Sequence, residues 1–182
     1  MQCAEGEIGR VFAIRLEHGE PMPESLERLA ADRGVRCGLV LMIGGADDGS
    51  RLVVGPEDGG ILPPVPLLSV LCGVHEVTAV GTLFPDETGK PVLHMHGAFG
   101  RGNHGLCGCI REGIVTWQVL EIVLVELVKL EAIRARDPQT GLPLLQCCEH
   151  SARGWSSLSS CNRIEPGGDV SRREDVNGRR CT

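Results

Sequence analysis

The sequence predicts an α/β (α+β) domain that is rich in strands and has few helices. Three observations support this class: runs of branched aliphatic residues of strand length, one stretch with helical periodicity, and turn-forming residues between these segments. At 182 residues, the chain is long enough for one domain with a substantial hydrophobic core. Aromatic residues make up only 3% of the chain and tyrosine is absent, so we expect an aliphatic core.

The first third of the chain predicts a strand, a helix and two further strands, in that order. The apolar run 9–16 has the length and composition of a strand. A helix follows, which Gly34 is placed to end and which is indicated by apolar residues at helical spacing, namely Leu26, Leu29 and Ala30. Residues 37–55 then predict a buried strand, a turn rich in glycine and aspartate, and a second strand.

The rest of the domain predicts strands separated by loops and turns. Residues 56–66 contain four prolines and are expected to form a surface loop, while 67–84 predict one or two strands. The segment 85–90 has the composition of a hairpin turn, and 91–99 alternates in the manner of a strand. We favour strands over 114–135 because β-branched residues are frequent there, although a helix would align three leucines, Leu120, Leu124 and Leu127.

The overall charge and hydropathy disfavour several classes of protein. The formal net charge of −6 disfavours general attraction to a nucleic-acid backbone, and the few aromatic residues disfavour base stacking. No run reaches the roughly 18 apolar residues of a membrane span, and the N-terminus lacks the pattern of a signal peptide. We therefore expect a cytoplasmic protein with no membrane partner, whose nine cysteines are thiols or metal ligands rather than a disulfide framework.

The C-terminal residues 149–182 differ in composition from the rest of the chain. They show no apolar periodicity, and their polar, glycine-rich sequence has too little apolar surface to offset the entropy lost on ordering. Their six arginines against five acidic residues give this segment a net charge of +1. We expect a disordered C-terminal tail.

Half of the chain's six histidines lie in one short stretch, residues 92–113, together with two cysteines. In a strand, His94 and His96 project from the same face with Cα atoms roughly 6.5–7 Å apart. Their ring nitrogens can then converge on one metal ion, at about 2.0–2.1 Å from each. The glycine-rich sequence that follows offers three candidates for a third ligand: His104, Cys107 and Cys109. Two histidines with a cysteine suit zinc best among the common metals.

The same residues admit a simpler interpretation. An H-x-H pair is also the pattern of a polar stripe on a half-exposed strand, and small cysteines are often buried in strands without a ligand role. His104 lies in a glycine-rich segment, where it is solvated if it is not a ligand. We expect only one of Cys107 and Cys109 on the metal-facing side, with Cys107 directed away from it. Metal binding is favoured because so many candidate ligands are close together.

Several motifs occur in a recognisable order along the chain. They are an arginine-led first strand (9–16), an L-x-x-G-E turn (Leu16, Gly19, Glu20), an I-G-G-A turn (43–46), a glutamate before a glycine (Glu76, Gly81), and P-x-L-H-x-H (91–96). In this order they resemble the plant-and-prokaryote-conserved (PPC) domain family. The resemblance covers residues 8–146, nearly the whole of the predicted globular part.

The resemblance implies a largely antiparallel mixed sheet and a homotrimer whose edge strands meet at subunit boundaries. It also implies a fold similar to that of acetolactate decarboxylase, in which an H-x-H and a later histidine hold zinc. His94 and His96 match the family's H-x-H directly, whereas the segment matching its later G-G-H is C-G-C here, which places Cys109 at the third histidine. Either the site becomes His₂Cys, or His104 supplies the third ligand, or metal binding is lost. Cysteine is a competent zinc ligand, so loss is not the default.

Two functional hypotheses of different classes follow. In the first, the chain is a metal-binding trimer with an enzyme-like site, in which zinc or another divalent transition metal is held by His94, His96 and Cys109. The resemblance places Glu76 and Glu20 as candidates for the acid or base of that site. In the second, the chain is a regulatory trimer that binds DNA or protein. DNA binding is implied by the family's relatives with AT-hooks, but no R-G-R-P hook occurs here and the acidic balance disfavours it.

Overall fold

The structure is a computed structural model that describes residues 1–148. The disordered tail predicted for 149–182 lies outside the described residues, and the domain limits of 8 and 146 stay a prediction. The described part contains one α-helix and eleven strands, which confirms a strand-rich α+β fold with few helices. In chain order the elements are β1 (Glu7–Glu17), β2 (Pro21–Met22), α1 (Glu24–Arg33), β3 (Cys37–Ala46), β4 (Arg51–Pro56), β5 (Pro66–Val70), β6 (His75–Pro85), β7 (Pro91–Arg101), β8 (His104–Cys109), a 3-10 turn (Ile110–Glu112), β9 (Ile114–Val128), β10 (Ala132–Arg136) and β11 (Pro143–Cys147).

Nine of the strands form one large sheet in which neighbouring strands are antiparallel. Its order is β1-β9-β3-β6-β7-β8-β4-β5, and the short β2 pairs with one end of β9. The other two strands, β10 and β11, form a separate antiparallel hairpin. Among the described residues, the one parallel contact is an isolated bridge between Asp86 and Arg134. The sheet is therefore antiparallel rather than mixed, as expected where short turns join strands such as β6, β7 and β8.

The helix forms where the sequence predicts it and packs on the strand that carries the histidines. Leu26 and Ala30 are buried, and Gly34 ends the helix in the left-handed region at φ 66°. The backbone N–H of Leu93 in β7 donates to Glu27 Oε1 at 2.9 Å, which fastens α1 to that strand. Within residues 1–148, no helix is long and apolar enough to cross a membrane.

β9 resolves the alternatives left open for the segment 114–135. It is a 15-residue strand that pairs with β1 on one side and β3 on the other. Leu120 and Leu124 are buried on its core face with the period of two that a strand requires, so the helical alternative is wrong. Residues 67–84 likewise contain two strands, and 85–90 include the turn between β6 and β7.

The large sheet has one buried face and one exposed face. The buried face forms the aliphatic core, whose largest members include Met42, Leu83, Met95, Leu120 and Ile122. On the opposite face, four aliphatic side chains are 39–56% exposed: Leu41, Ile43, Val80 and Val123. The register places Val123, Leu41 and Val80 side by side across three strands. We call the surface formed by these four residues the outer face.

The cysteines of the described residues are mostly free thiols. Six of them are free, whereas Cys148 is disulfide-bonded. Cys37 is buried, and burial raises the pKa of its thiol to about 11. A thiol with so high a pKa stays protonated near neutral pH, so Cys37 is a core residue.

Candidate metal site

The predicted ligands meet beside the outer face, where three neighbouring strands place them in register. On β7, His94 and His96 project to the same side, while Met95 between them is buried in the core. β6 pairs Thr82 with His94, and β8 pairs Cys109 with His96. Because directly paired residues of antiparallel strands share a face, the register brings Cys109 beside His96.

The three candidate ligand atoms are close enough to bind one ion. Those of His94, His96 and Cys109 all lie within 4.8 Å of one another, and the two histidine Nε2 atoms are 3.1 Å apart. The two imidazole rings have centroids 5.0 Å apart and are inclined by 77°. A tetrahedral zinc ion separates two histidine nitrogens by about 3.3 Å, and a nitrogen from a sulfur by about 3.6 Å. These residues therefore fit such an ion after a small side-chain adjustment.

Glycines allow the strands that carry the site to pack closely. Gly81 of β6 lies opposite Met95, and a Cβ at Gly81 would be 2.6 Å from Met95 Cβ and 2.9 Å from the His94 carbonyl oxygen. Gly108 of β8 precedes Cys109, and a Cβ there would be 2.9 Å from the Val53 carbonyl oxygen of β4. Larger residues at either position would push apart the strands that hold the ligands.

Burial and neighbouring cations keep the two histidines neutral. For His94, burial lowers the pKa most, and the charges of Arg134 and Arg111 lower it further. For His96, burial again lowers the pKa most, followed by the charges of His94 and Arg111. Since neutral imidazole is the form that binds a metal ion, both side chains are available as ligands near neutral pH.

Two arginines border the candidate ligands, and sequence reasoning identified neither. Arg111 lies in the 3-10 turn two residues after Cys109, and its Nε donates to Cys109 Sγ at 3.5 Å. A cation in this place offsets the charge of a thiolate. Arg134 comes from β10, and its Nη2 donates to Thr82 Oγ1 at 2.8 Å. Arg111 could have been identified from the sequence because it lies two residues after a candidate ligand, whereas no neighbouring motif relates Arg134 to the site.

The other two candidate ligands are arranged differently from the prediction. His104 is exposed at the far end of β8, five residues or about 17 Å along the strand from Cys109. Cys107 is exposed and lies on the same face as Cys109, since the two pair with Ala98 and His96 of β7. The prediction that Cys107 faces away is therefore wrong, because residues two apart in a strand share a face.

The two glutamates lie apart from the candidate ligands within one chain. Glu76 of β6 pairs with Gly100, four residues or about 13 Å along β7 from His96. Glu20 lies in the turn after β1, where its Oε2 accepts a hydrogen bond from the backbone N–H of Glu17 at 2.7 Å. In the part of the chain that the structure describes, neither carboxylate belongs to the cluster of candidate ligand atoms.

Comparison with known proteins agrees with the resemblance drawn from the motifs. A family model described as the Plants and Prokaryotes Conserved (PCC) domain matches residues 3–128, more than half of the chain. Among curated proteins, none matches the chain. The matched residues include β1 to β9 and all three candidate ligands.

Several solved structures share the fold. A metal-containing protein from Archaeoglobus fulgidus is 23% identical, with a TM-score of 0.68 over 79% of this chain and 98% of its own. A plant- and prokaryote-conserved (PPC) protein from Pyrococcus horikoshii is 24% identical, with a TM-score of 0.68 over 82% of this chain and 100% of its own. A protein from Ralstonia eutropha JMP134, provisionally named DNA-binding, is 24% identical, with a TM-score of 0.60 over 73% of this chain and 88% of its own. The likeness to acetolactate decarboxylase stays a prediction.

Proposed function

Since the chain belongs to the Plants and Prokaryotes Conserved domain family, we propose that it binds a divalent transition metal, zinc above all, through His94, His96 and Cys109. The observation that carries the proposal is the convergence of their ligand atoms to within 4.8 Å on one side of the sheet. Two imidazoles and one thiolate form a donor set that suits zinc. The similar fold of an archaeal metal-containing protein gives further support.

Different residues of the chain would have different roles in such a site. His94 and His96 offer neutral nitrogens because burial lowers the pKa of each, and Arg111 lies beside the sulfur of Cys109. When bound by three protein ligands, the ion supplies Lewis-acid chemistry at its open coordination position. An acid or base role for Glu20 or Glu76 would need a neighbouring subunit to bring the carboxylate to the ion.

The assembly we propose is a homotrimer that covers the outer face. The exposed aliphatic residues of that face lie side by side and end at His96, which pairs with Val80. An apolar surface of this kind, together with the sheet edges at β1 and β5, is unfavourable in a monomer. Light scattering at micromolar concentration should give three times the mass of the chain, and a stable monomer would contradict this assembly.

Metal analysis tests the proposed ligands directly. Protein purified without chelators should contain about one ion per chain by elemental mass spectrometry. The double variant His94→Gln/His96→Gln should lose the ion, and Cys109→Ala should bind it much more weakly. Cys109→His should keep or raise the affinity, since it restores three histidine ligands. His104→Gln and Cys107→Ala are the matched controls and should leave the metal content unchanged.

Alkylation gives an independent test of the thiolate ligand. With metal bound, Cys109 should resist iodoacetamide until a chelator is added, because the ion holds its sulfur. Cys107 is exposed on the same face and should react whether or not the chelator is present. Equal modification of Cys109 with and without metal would remove it from the ligand set.

A second candidate function is DNA binding, which the provisional name of the Ralstonia eutropha structure favours. The net charge of −6 is unfavourable for it. A mobility-shift assay with duplex DNA at physiological salt separates the two candidates. A metal-free protein that shifts the duplex would favour the second candidate over the first.

A further inference from the structure

A buried arginine beside the candidate metal site has no ion-pair partner among residues 1–148. Arg134 is only 5% exposed. Its Nη2 donates to Thr82, its guanidinium carbon lies 5.8 Å from the centroid of the Phe84 ring, and its Nε–H is buried without an acceptor. None of the ion pairs within residues 1–148 includes Arg134. A buried cation in this condition is strongly unfavourable unless something negative is placed near it.

The surroundings of Arg134 contain more positive than negative charge. Arg111 is a second cation, and the thiol of Cys109 is near both of them, while the carboxylate of Asp86, the bridge partner of Arg134, accepts hydrogen bonds from Thr88 and Lys90. Arg111 already donates to that sulfur, so Cys109 is not a dedicated partner of Arg134. A divalent ion in the proposed site would increase the imbalance further. An anion from outside residues 1–148 would offset this imbalance.

The position of Arg134 relates it to the candidate ligands of the metal site. The Thr82 hydroxyl that it contacts belongs to the register partner of His94, so the guanidinium lies at the His94 end of the ligand group. Arg134 comes from the β10–β11 hairpin, which follows the segment matched by the family model, residues 3–128. The hairpin thus adds a cation to a site whose candidate ligands all come from the large sheet.

We propose that Arg134 binds the carboxylate of a small organic acid whose other end reaches the open position of the metal ion. The planar guanidinium presents paired N–H donors that match the two oxygens of a carboxylate. This inference rests on the proposed metal site and specifies the class of ligand that the site receives. Arg134 is the residue that selects a charged ligand over a neutral one of the same shape.

Acetate titrations of four proteins test the assignment: the wild type, Arg134→Met, Arg134→Lys and the control Arg136→Met. Arg136 lies on the same strand but is exposed, so it controls for the loss of a positive charge from β10. Each protein is prepared metal-free and loaded with Co²⁺, and its metal content is measured. Acetate, neutral acetamide and inorganic phosphate are titrated at constant ionic strength, by calorimetry and by the visible spectrum of the Co²⁺ form. Methionine has a similar length to arginine, and apolar replacement of a buried charge is often tolerated; thermal unfolding verifies the fold.

We expect acetate to bind the wild type and Arg136→Met equally, and acetamide to bind neither. Arg134→Met should weaken acetate binding by at least about tenfold, and Arg134→Lys should weaken it less because it keeps the charge but not the paired donors. The content of Co²⁺ should be the same in all four proteins. Undiminished acetate binding by Arg134→Met would overturn the proposal, as would tighter binding of phosphate than of acetate. Loss of Co²⁺ from Arg134→Met would also overturn it, since Arg134 would then serve the thiolate. Failure of the metal proposal gives a different result. In that case the wild type takes up no Co²⁺, while acetate binding to the metal-free form still depends on Arg134.

Discussion

Arg10 and Glu126 connect the edge strand β1 to β9, and replacing Arg10 with methionine should lower the Tm of the domain by about 2–5 °C. Arg10 donates from Nε to Glu126 Oε2 at 2.6 Å, from Nη2 to Oε1 at 2.7 Å, and from its backbone N–H to Oε2 at 3.1 Å. The Glu126 side chain is 10% exposed, whereas that of Arg10 is 53% exposed. Methionine keeps the aliphatic stem but leaves a nearly buried carboxylate with only the backbone donor.

The magnitude follows from the two side-chain hydrogen bonds and their exposure. Hydrogen bonds to charged groups contribute about 1.5–3 kcal/mol each, which gives an upper range for the pair. The guanidinium of Arg10 is half-exposed, so water replaces part of the lost interaction and the expected value falls below that range. For a domain of this size, the expected drop in Tm is about 2–5 °C.

Urea denaturation at pH 7 measures the effect, with Arg15→Met as the matched control. Arg15 pairs with Glu17 on the same strand, but both side chains are more than half exposed, so this variant should lose less than about 0.5 kcal/mol. The hydrogen bonds from Arg10 lower the pKa of Glu126, so the stabilisation is present above the ordinary glutamate pKa and is lost as the pH falls through the lowered one. The difference in stability between the wild type and Arg10→Met should therefore decrease as the pH falls below about 5. Equal stabilities of Arg10→Met and Arg15→Met at pH 7, or a gap that persists in acid, would refute this reasoning.

Three further predictions concern the site and its supporting strands. Gly81→Ala should destabilise the domain by about 1–3 kcal/mol and weaken metal binding, because the added Cβ would collide with the neighbouring strand. Gly100→Ala is the control: a Cβ at Gly100 has open space around it, so this variant should keep the wild-type stability in the same urea experiment. The metal-free protein should lose stability as the pH falls from about 7 to 5, because the lowered pKa values of His94 and His96 make the unfolded chain take up protons first. In that range the variant with glutamine at both positions should lose less stability than the wild type. Parallel profiles of stability against pH for the two proteins would contradict the lowered histidine pKa values. Native Cys37, with a pKa of about 11, should remain unmodified by iodoacetamide at pH 8 in peptide mapping, and rapid labelling would show that its strand opens.

Features that depend on neighbouring residues in the chain could be predicted from the sequence. The apolar spacing of Leu26 and Ala30 with a following Gly34 specified α1, because helix periodicity and termination are local properties. Alternation along 91–99 placed His94 and His96 on one side of β7 for the same reason. The prediction that Cys107 faces away from Cys109 was wrong because residues two apart in a strand lie on the same face.

Which distant residues lie beside the histidines depends on strand order and packing, and could not be predicted from the sequence. Cys109 reaches His96 because β8 follows β7 in one particular register, and a shift of one residue would have turned its sulfur to the opposite face. The separation of Glu76 from the site is equally a matter of register, which motif order along the chain does not reveal. Arg134 lies 38 residues after His96 in the sequence, and only the packing of the β10–β11 hairpin onto β6 brings its charge to Thr82. Periodicity fixes the face on which a side chain lies, whereas strand order and register, set by packing over the whole core, decide what it meets there.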